Sequence, residues 1–235
     1  MADISYPGEE LLCFAEATNW KRYMGAVLSP HVGTSVLDVG AGLGETAKRL
    51  NAGTARRWVC LEPDRGMADG LDRSRRAGEL GANCDIVHGT LADLPPDRTF
   101  DTILYIDVLE HIERDGDELA NAAQYLQPGG RLIVLTPAFS WLFTEFDAAI
   151  GHFRRYSRPG LAALTPPNMA LVEARYLDSV GLMTSLMNRF LLHAAKPTRS
   201  QIALWDKILV PISTVVDRCV GYSFGRSVIC VWRKP

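Results

Sequence analysis

The run Asp38-Val39-Gly40-Ala41-Gly42-Leu43-Gly44-Glu45 joins an apolar, strand-like segment, Ser35 to Val39, to a helix-length one. Glycines at 40, 42 and 44 leave no Cβ where the chain turns off the strand end, so a ligand can approach the backbone closely. The unpaired N–H groups that open the next helix attract polar or anionic groups. A dinucleotide fingerprint, G-x-G-x-x-G, would need glycine at 45; Glu45 stands there and would repel a pyrophosphate. A P-loop is excluded because no Gly-Lys-Ser/Thr follows. Asp38 and Glu45 add negative potential, which suits a ligand bearing an amine or a positive charge. S-adenosylmethionine is such a ligand. Glu62, 18 residues past Gly44 at the end of the run Trp58 to Leu61, is placed to accept both ribose hydroxyls of a nucleoside lying over the loop. The alternative for Glu62 is an acid at a helix start beside Pro63. Asp93, within Gly89 to Pro95, could accept the adenine amino group or be an ordinary loop aspartate or N-cap. The three features in this order are more specific than any one of them.

Short aliphatic or β-branched runs alternate with helix-length segments between Ser35 and Leu135: Ser35 to Val39, Trp58 to Leu61, Asp85 to His88, Phe100 to Ile106 and Arg131 to Leu135. This alternation predicts a parallel sheet with crossover helices, buried on both faces. Leu119, Ala122, Ala123 and Leu126 recur at helical spacing within Glu113 to Leu126, and Gln127-Pro128-Gly129-Gly130 stops that helix. Trp20, Tyr23, Val27 and Leu28 share one face of a helix ending near Ser29-Pro30, read as a lid or cap. Thr136 to Gly160 is aromatic and charged without clear period, and a span that long is more often functional than idle. Tyr176 to His193 and Gln201 to Asp217 read as helices, the second interrupted by Pro211, and Ser227 to Trp232 as a closing strand. Residues 1–235 are thus expected to form a single domain, with 1–34 as an N-terminal cap region and 137–225 as an inserted, helical region facing the substrate.

The 235 residues are 47% hydrophobic and 22% charged, enough to build one sizeable core and too apolar for a disordered chain. A formal charge of -2 gives no global reason to expect nucleic-acid binding. The odd number of cysteines, five, widely spaced and without a CxxC pair, indicates neither a disulfide framework nor a zinc site. Asp3, Glu9 and Glu10 stand where a secretory signal would be basic, and no stretch reaches about 18 uninterrupted apolar residues, so the expected location is cytoplasmic.

Val36 to Gly44, Leu61-Glu62-Pro63, Leu91-Ala92-Asp93, Phe100 to Ile112 and Leu126 to Gly130 together resemble the ordered motifs of class I S-adenosylmethionine-dependent methyltransferases. The resemblance covers roughly residues 19 to 136. It implies an α/β, doubly wound, Rossmann-like fold: a seven-stranded, mostly parallel sheet whose last strand, Ser227 to Trp232, is antiparallel. It also implies that Asp38, Gly40, Ala41, Gly42 and Gly44 line the methionine moiety. Glu62 with Pro63 would hold the ribose, Leu91, Ala92 and Asp93 would meet the adenine, and the backbone around Ile106 would meet the amino-acid end. Asn19 to Tyr23 is similar to the helix that closes over the cofactor, so Arg22 or Tyr23 is a candidate to hold the cofactor carboxylate. Leu109-Glu110-His111 resembles the subgroup acting on small molecules, ubiquinone precursors and saccharides. Asp147 to Ser157 resembles an element of methyltransferases of saccharide and lipid-linked sugar pathways.

Methyl transfer from a sulfonium is an in-line displacement that the protein serves chiefly by positioning and desolvation. A base is needed only when the acceptor atom is protonated at working pH, and histidine is the natural one. The candidates are His152 and His111, with Tyr156 beside them; the plain alternatives are that His111 bonds a loop and that Tyr156 anchors one to the core. Arg154 and Arg155 would favour an acceptor with carboxylate or phosphate if they were not simply a solvated pair. No metal is expected, because the spacing of Asp107, Glu110 and His111 fits a turn better than a cage, and activity should survive a chelator. The expected acceptor is a small molecule, a sugar or a lipid-linked molecule, with S-adenosylhomocysteine as by-product. Nucleic acid is not expected, for want of a basic face or a base-flipping motif. The C-terminal helices are apolar enough to touch a membrane or pack a homodimer, with Arg189, Lys196 and Arg199 as a thin basic fringe; Met183 and Met187 read as core. The competing readings are a non-catalytic S-adenosylmethionine-binding module or partner subunit and, more distantly, a nicotinamide oxidoreductase, which Glu45 disfavours.

Overall fold

The structure, a computed structural model, describes residues 16–51, 56–187 and 198–235. In chain order the regular elements are α1 (Thr18–Leu28), β1 (Ser35–Val39), α2 (Glu45–Leu50), β2 (Arg57–Glu62), α3 (Arg65–Arg76), β3 (Cys84–His88), β4 (Phe100–Ile106), α4 (Asp115–Gln124), β5 (Leu126–Pro137), α5 (Glu145–Ala149), α6 (Arg158–Ala162), β6 (Ala170–Leu177), α7 (Ser179–Met187), α8 (Arg199–Leu204), α9 (Val210–Cys219) and β7 (Ser227–Arg233). The strands form a seven-stranded sheet in the order β3-β2-β1-β4-β5-β7-β6. Pairings from β3 across to β5 are parallel, and β7 runs antiparallel to both β5 and β6. This is the doubly wound arrangement that the resemblance implies.

Period-two alternation along buried strands splits the core into two layers. On β1, Val36 packs with α1, Trp58, Leu104 and Trp205, whereas Leu37 and Val39 pack with Leu61, Leu109 and Leu119. The strand order reverses beside β1, and ligands in open α/β sheets bind at the carboxyl ends of strands at such a point.

The five strands expected between Ser35 and Leu135 all form, as does the closing strand, with bounds shifted by a few residues at most except at β5, whose ladder begins at Leu126. The region 137–225, expected to be helical, also contains β6, and Tyr176 and Leu177 belong to that strand rather than to a helix. Glu173 and Arg175 on this edge strand, with Ala and Leu around them, give a helix-favouring composition; the edge position tolerates and even favours such charges. Pro211 does not interrupt the last helical segment. A π-helical turn, Trp205–Leu209, widens the helix just before it, so the missing N–H and the ring are absorbed and α8 runs on into α9. Met183 is exposed rather than core. Arg189, Lys196 and His193 lie outside the described residues, as do residues 1–15 of the cap region.

That π turn has a second effect. It carries Asp206, whose carboxylate accepts from the N–H groups of Asn19 (3.2 Å) and Trp20 (2.8 Å) and so caps α1 from the far end of the chain. Tyr23 Oη donates to Asp217 Oδ2 at 2.5 Å, and Asp217 also accepts from the N–H groups of Asp178 (2.7 Å) and Ser179 (2.9 Å). Asp178, held at φ 63°, accepts in turn from Trp205 Nε1 and Ser213 Oγ. These buried carboxylates fasten α1, β6, α7 and α9 to one another. Asp217→Ala strands several buried donors at once, each worth roughly 1–3 kcal/mol. We expect it to lower unfolding free energy in denaturant titration by at least about 3 kcal/mol, and Tyr23→Phe by about 1 kcal/mol.

Candidate active site

The residues expected to hold a cofactor sit at the carboxyl ends of adjacent strands. Glu62, at the end of β2 and buried, accepts from Gly42 N through Oε2 (2.7 Å) and from Asp64 N through Oε1 (2.9 Å). Its carboxylate therefore shapes the glycine loop, and each oxygen keeps a further lone pair. Gly40 and Ala41 donate to Leu61 O, and Gly89 N donates to Glu62 O, so the loops after β1, β2 and β3 form one hydrogen-bonded edge. Gly40 and Gly44 are pinned from within: a Cβ there would lie 2.7 Å from Val108 Cγ2 and from Leu71 Cδ2, respectively. Gly42 differs, because at φ +56° its Cβ would meet nothing closer than Gly40 O at 3.9 Å. The loop thus turns its open side outward at the residue that Glu62 holds.

Asp38 is buried beneath the loop, and its Oδ2 has no hydrogen-bond partner among the described residues. Burial pushes its carboxyl up to about 7. Glu45 adds less negative potential than its sequence position promised, because Lys21 Nζ (2.6 Å) and Lys48 Nζ (3.1 Å) pair with it. Asp93 closes a capping box: Oδ2 accepts from Thr90 N (2.8 Å) and Thr90 Oγ1 (3.0 Å), which sets the loop after β3, while Leu91 is buried and Ala92 and Asp93 are exposed. Pro63 and Ile106 border the same edge, half-buried. Arg22 and Tyr23 are not brought to it. Arg22 is exposed and bonds Asn19, and the Tyr23 phenol is spent on Asp217, so neither is set to hold a cofactor carboxylate.

The loop after β4 carries the other half. Asp107, at φ 54°, turns the chain into a single 3₁₀ turn, Leu109–His111, and Val108 packs against Gly40. Glu110 is fully buried; Oε2 accepts from Thr136 Oγ1 (3.0 Å) at the end of β5, and Oε1 has no partner. Burial, with Asp107 nearby, raises its carboxyl well above the usual range. His152 comes from beyond β5. Its Nδ1 lies 3.0 Å from Asp147 Oδ1, which assigns the proton to Nδ1 and leaves the Nε2 lone pair, 3.9 Å from Glu110 Oε1, facing the carboxyl. The His111 ring meets the His152 ring edge to face at 4.5 Å, and burial followed by the proximity of His152 holds His111 down to about 4, so it is neutral at physiological pH. Among the described residues, Glu110, His111 and His152 offer ligand atoms within 4.8 Å of one another. The spacing of Asp107, Glu110 and His111 in the chain did not disclose this, because the added ligand comes from a loop beyond the next strand.

The segment Asp147 to Tyr156 is an anchor. Asp147 accepts from Arg155 Nε (2.8 Å) and Nη2 (2.9 Å), from His152 and from Thr144. Arg154 Nη1 reaches Asp115 Oδ2 (2.7 Å), and Tyr156 Oη donates to the same oxygen (2.8 Å). The two guanidiniums are therefore already paired with carboxylates, which is neither the solvated pair nor the anion-holding pair that the sequence left open. Tyr156 is buried in a structural bond instead of standing beside a reacting atom, which corrects its place among the catalytic candidates. Sequence reasoning passed over Phe139 and Trp141. Phe139, at φ 65°, stacks on Tyr176 at 4.9 Å and lies 5.2 Å from Trp141, forming an aromatic shelf next to the anchor; no periodic pattern marks it.

A parallel-sheet edge with an open glycine loop, an acid gripping that loop and a titratable cluster over the next strand defines a nucleoside-cofactor transferase site. Residues 37–134 match the family described as "Methyltransferase domain". Residues 37–134 are thus similar to a methyltransferase domain, and the sheet order and loop are those that the resemblance to class I S-adenosylmethionine-dependent methyltransferases implies. It is 32% identical over 165 residues to a demethylmenaquinone methyltransferase of Tropheryma whipplei (strain Twist), across 69% of this chain and 66% of that protein. It is 33% identical over 137 residues to a ubiquinone/menaquinone biosynthesis C-methyltransferase of Paracoccus denitrificans (strain Pd 1222), across 54% of each. The matched part thus spans between about half and just under two thirds of these relatives. Among solved structures, a geranyl diphosphate methyltransferase in complex with S-adenosylmethionine superposes with a TM-score of 0.65 at 14% identity, covering 100% of this chain and 93% of that one. The [4+2]-cyclase SpnF does so at 0.63 and 18% identity, covering 92% and 80%. At these identities the structures speak for the fold alone, and a cyclase among them means that the fold does not choose the reaction.

The residues fit S-adenosylmethionine: an open Gly42, a carboxylate with spare lone pairs at Glu62 and an orphaned acid at Asp38 suit a cationic nucleoside. Glu62→Gln weakens the clamp on the glycine loop, and loss of a charged hydrogen bond costs roughly 1.5–3 kcal/mol. We expect S-adenosylhomocysteine affinity in calorimetry to fall roughly 10- to 100-fold. Below about 7 the Asp38 carboxyl is protonated, and a cationic ligand favours its ionised form. Affinity for S-adenosylmethionine is therefore expected to rise with pH through that value, by at most about tenfold per unit, and to lose this dependence in Asp38→Asn.

Proposed function

We propose that this protein transfers the methyl group of S-adenosylmethionine to a small, largely apolar acceptor. The observation that carries the reading is the Glu62 carboxylate holding Gly42 with that glycine's outer side open. When bound, the cofactor supplies an electrophilic methyl on a sulfonium. Glu62 is assigned to the ribose, the loop at 91–93 to the adenine, and Asp38 with the glycine loop to the methionine part. The acceptor side is assigned to His152, held by Asp147 with its Nε2 lone pair available, and to His111, kept neutral by burial.

The shelf of Phe139, Tyr176 and Trp141 favours an acceptor with a ring or a greasy tail. The pairing of Arg154 and Arg155 argues against an anionic one. The relatives' names point the same way, toward quinone precursors. For a lipid-linked acceptor, the outward row Leu204, Ile208, Ile212 and Val215 on α8, the π turn and α9 is assigned to lipid contact. Among the described residues no helix is long and apolar enough to cross a membrane.

The test is formation of S-adenosylhomocysteine on mixing with prenylated phenols or quinols, with anionic sugars as the contrasting set. Tight cofactor binding without product from any acceptor class would favour the non-catalytic module. His152→Ala is expected to lower turnover at least about 100-fold, the scale of a positioned acid–base group, while cofactor affinity stays within twofold; equal turnover would remove His152 from the chemistry.

A further inference from the structure

Glu110 poses a problem that the cofactor site does not solve. Its side chain is fully buried, one oxygen is held by Thr136, and the other has no partner although it faces the His152 Nε2 at 3.9 Å. A buried oxygen left without a partner loses its hydration with nothing in return. At 3.9 Å it is too far from the imidazole for a hydrogen bond.

Metal-ligating histidines are usually held by a hydrogen bond from the ring nitrogen that does not bind the metal, and both histidines around Glu110 have a hydrogen-bonding partner. His152 Nδ1 is fixed by the Asp147 carboxylate, which Arg155 in turn grips through two bonds. His111 is hydrogen-bonded to the backbone of Gly151. One imidazole nitrogen from each histidine and one oxygen of Glu110 lie within 4.8 Å of one another.

We propose that Glu110, His111 and His152 bind a divalent first-row transition cation, such as Zn²⁺, Mn²⁺ or Fe²⁺, at the acceptor side of the site. Two nitrogen donors and one carboxylate suit these ions; magnesium and calcium prefer all-oxygen sets. Metal–ligand bonds of about 2.0–2.2 Å would draw the three atoms in to about 3 Å of one another. That contraction, up to about 1.8 Å from the 4.8 Å bound, is within reach of side-chain rotation in a 3₁₀ turn and a loop. Three protein ligands on one side leave positions open, and an oxygen atom of the acceptor is the ligand they fit. This last role rests on the methyl-transfer reading; the cation site itself does not.

The experiment titrates the chelator-stripped, full-length protein with Co²⁺ by visible absorption and with Zn²⁺ by calorimetry. One equivalent of saturable binding is expected, weakened at least about 100-fold in Glu110→Gln and in His152→Gln, and unchanged in His31→Ala and Cys219→Ser. S-adenosylhomocysteine binding, measured on the same samples, reports that each variant is folded. No saturable uptake by the wild-type protein overturns the inference, as does equal uptake by a folded Glu110→Gln. Cofactor binding without metal uptake sinks the cation site alone, and metal uptake without cofactor binding sinks the methyl-transfer reading alone.

Discussion

Asp147 is almost wholly buried, and its two oxygens accept from Arg155, His152 and Thr144 at 2.8–3.0 Å. Burial by itself would raise this carboxyl, but the bonds from His152 and Arg155 outweigh it and hold the group far below the ordinary carboxylate range. It is therefore charged at any working pH, and the charge gives the His152 ring its orientation and its tautomer. The same carboxylate caps α5, so a five-residue helix too short to persist alone is tied to the histidine it presents. Together with the bonds of Arg154 and Tyr156 to Asp115 and of Phe153 N to Glu110 O, this ion returns the loop after β5 over β4 and sets His152 against Glu110.

The cofactor half is built on a similar economy. Glu62 serves as a structural acceptor for Gly42 and Asp64 while keeping lone pairs for a ligand, and Asp93 sets its own loop through Thr90. In these acids the structural role leaves acceptor capacity for the ligand-binding role proposed for them. The arrangement is rigid before a ligand arrives, which reduces the ordering cost of binding.

The helix that closes one flank, α1, is held by a different logic. Its N-terminal N–H groups and its one phenol are satisfied by Asp206 and Asp217 on the C-terminal helices. Lys21 reaches from α1 to Glu45 at the start of α2, which joins that flank to the glycine loop. A cation at Glu110 and an apolar acceptor on the aromatic shelf would both lie on the opposite side of the loop, toward β5, so the two flanks can serve different parts of one reaction.

How much of this was legible in the chain depended on the distance over which each constraint acts. The glycine loop, its strand and the acids after β2 and β3 were readable because each is imposed within a few residues: a buried strand must be apolar, a tight turn must lack Cβ, and an acid at a strand end lies beside the crevice. The edge strand β6 was hidden because its charged, helix-favouring residues are tolerated where one side of a strand meets solvent. Tyr23 and Tyr156 were misassigned for another reason. A phenol in a motif looks the same whether it meets a ligand or a buried carboxylate, and the carboxylate that uses Tyr23 lies 194 residues away. Sequence alone thus determined the fold class and the cofactor loop. Only the tertiary structure brought His152 onto Glu110 and His111, because that meeting depends on the path of a loop fixed by buried Asp147 and by long-range bonds from Phe153, Arg154 and Tyr156, and not on any local preference of the residues involved.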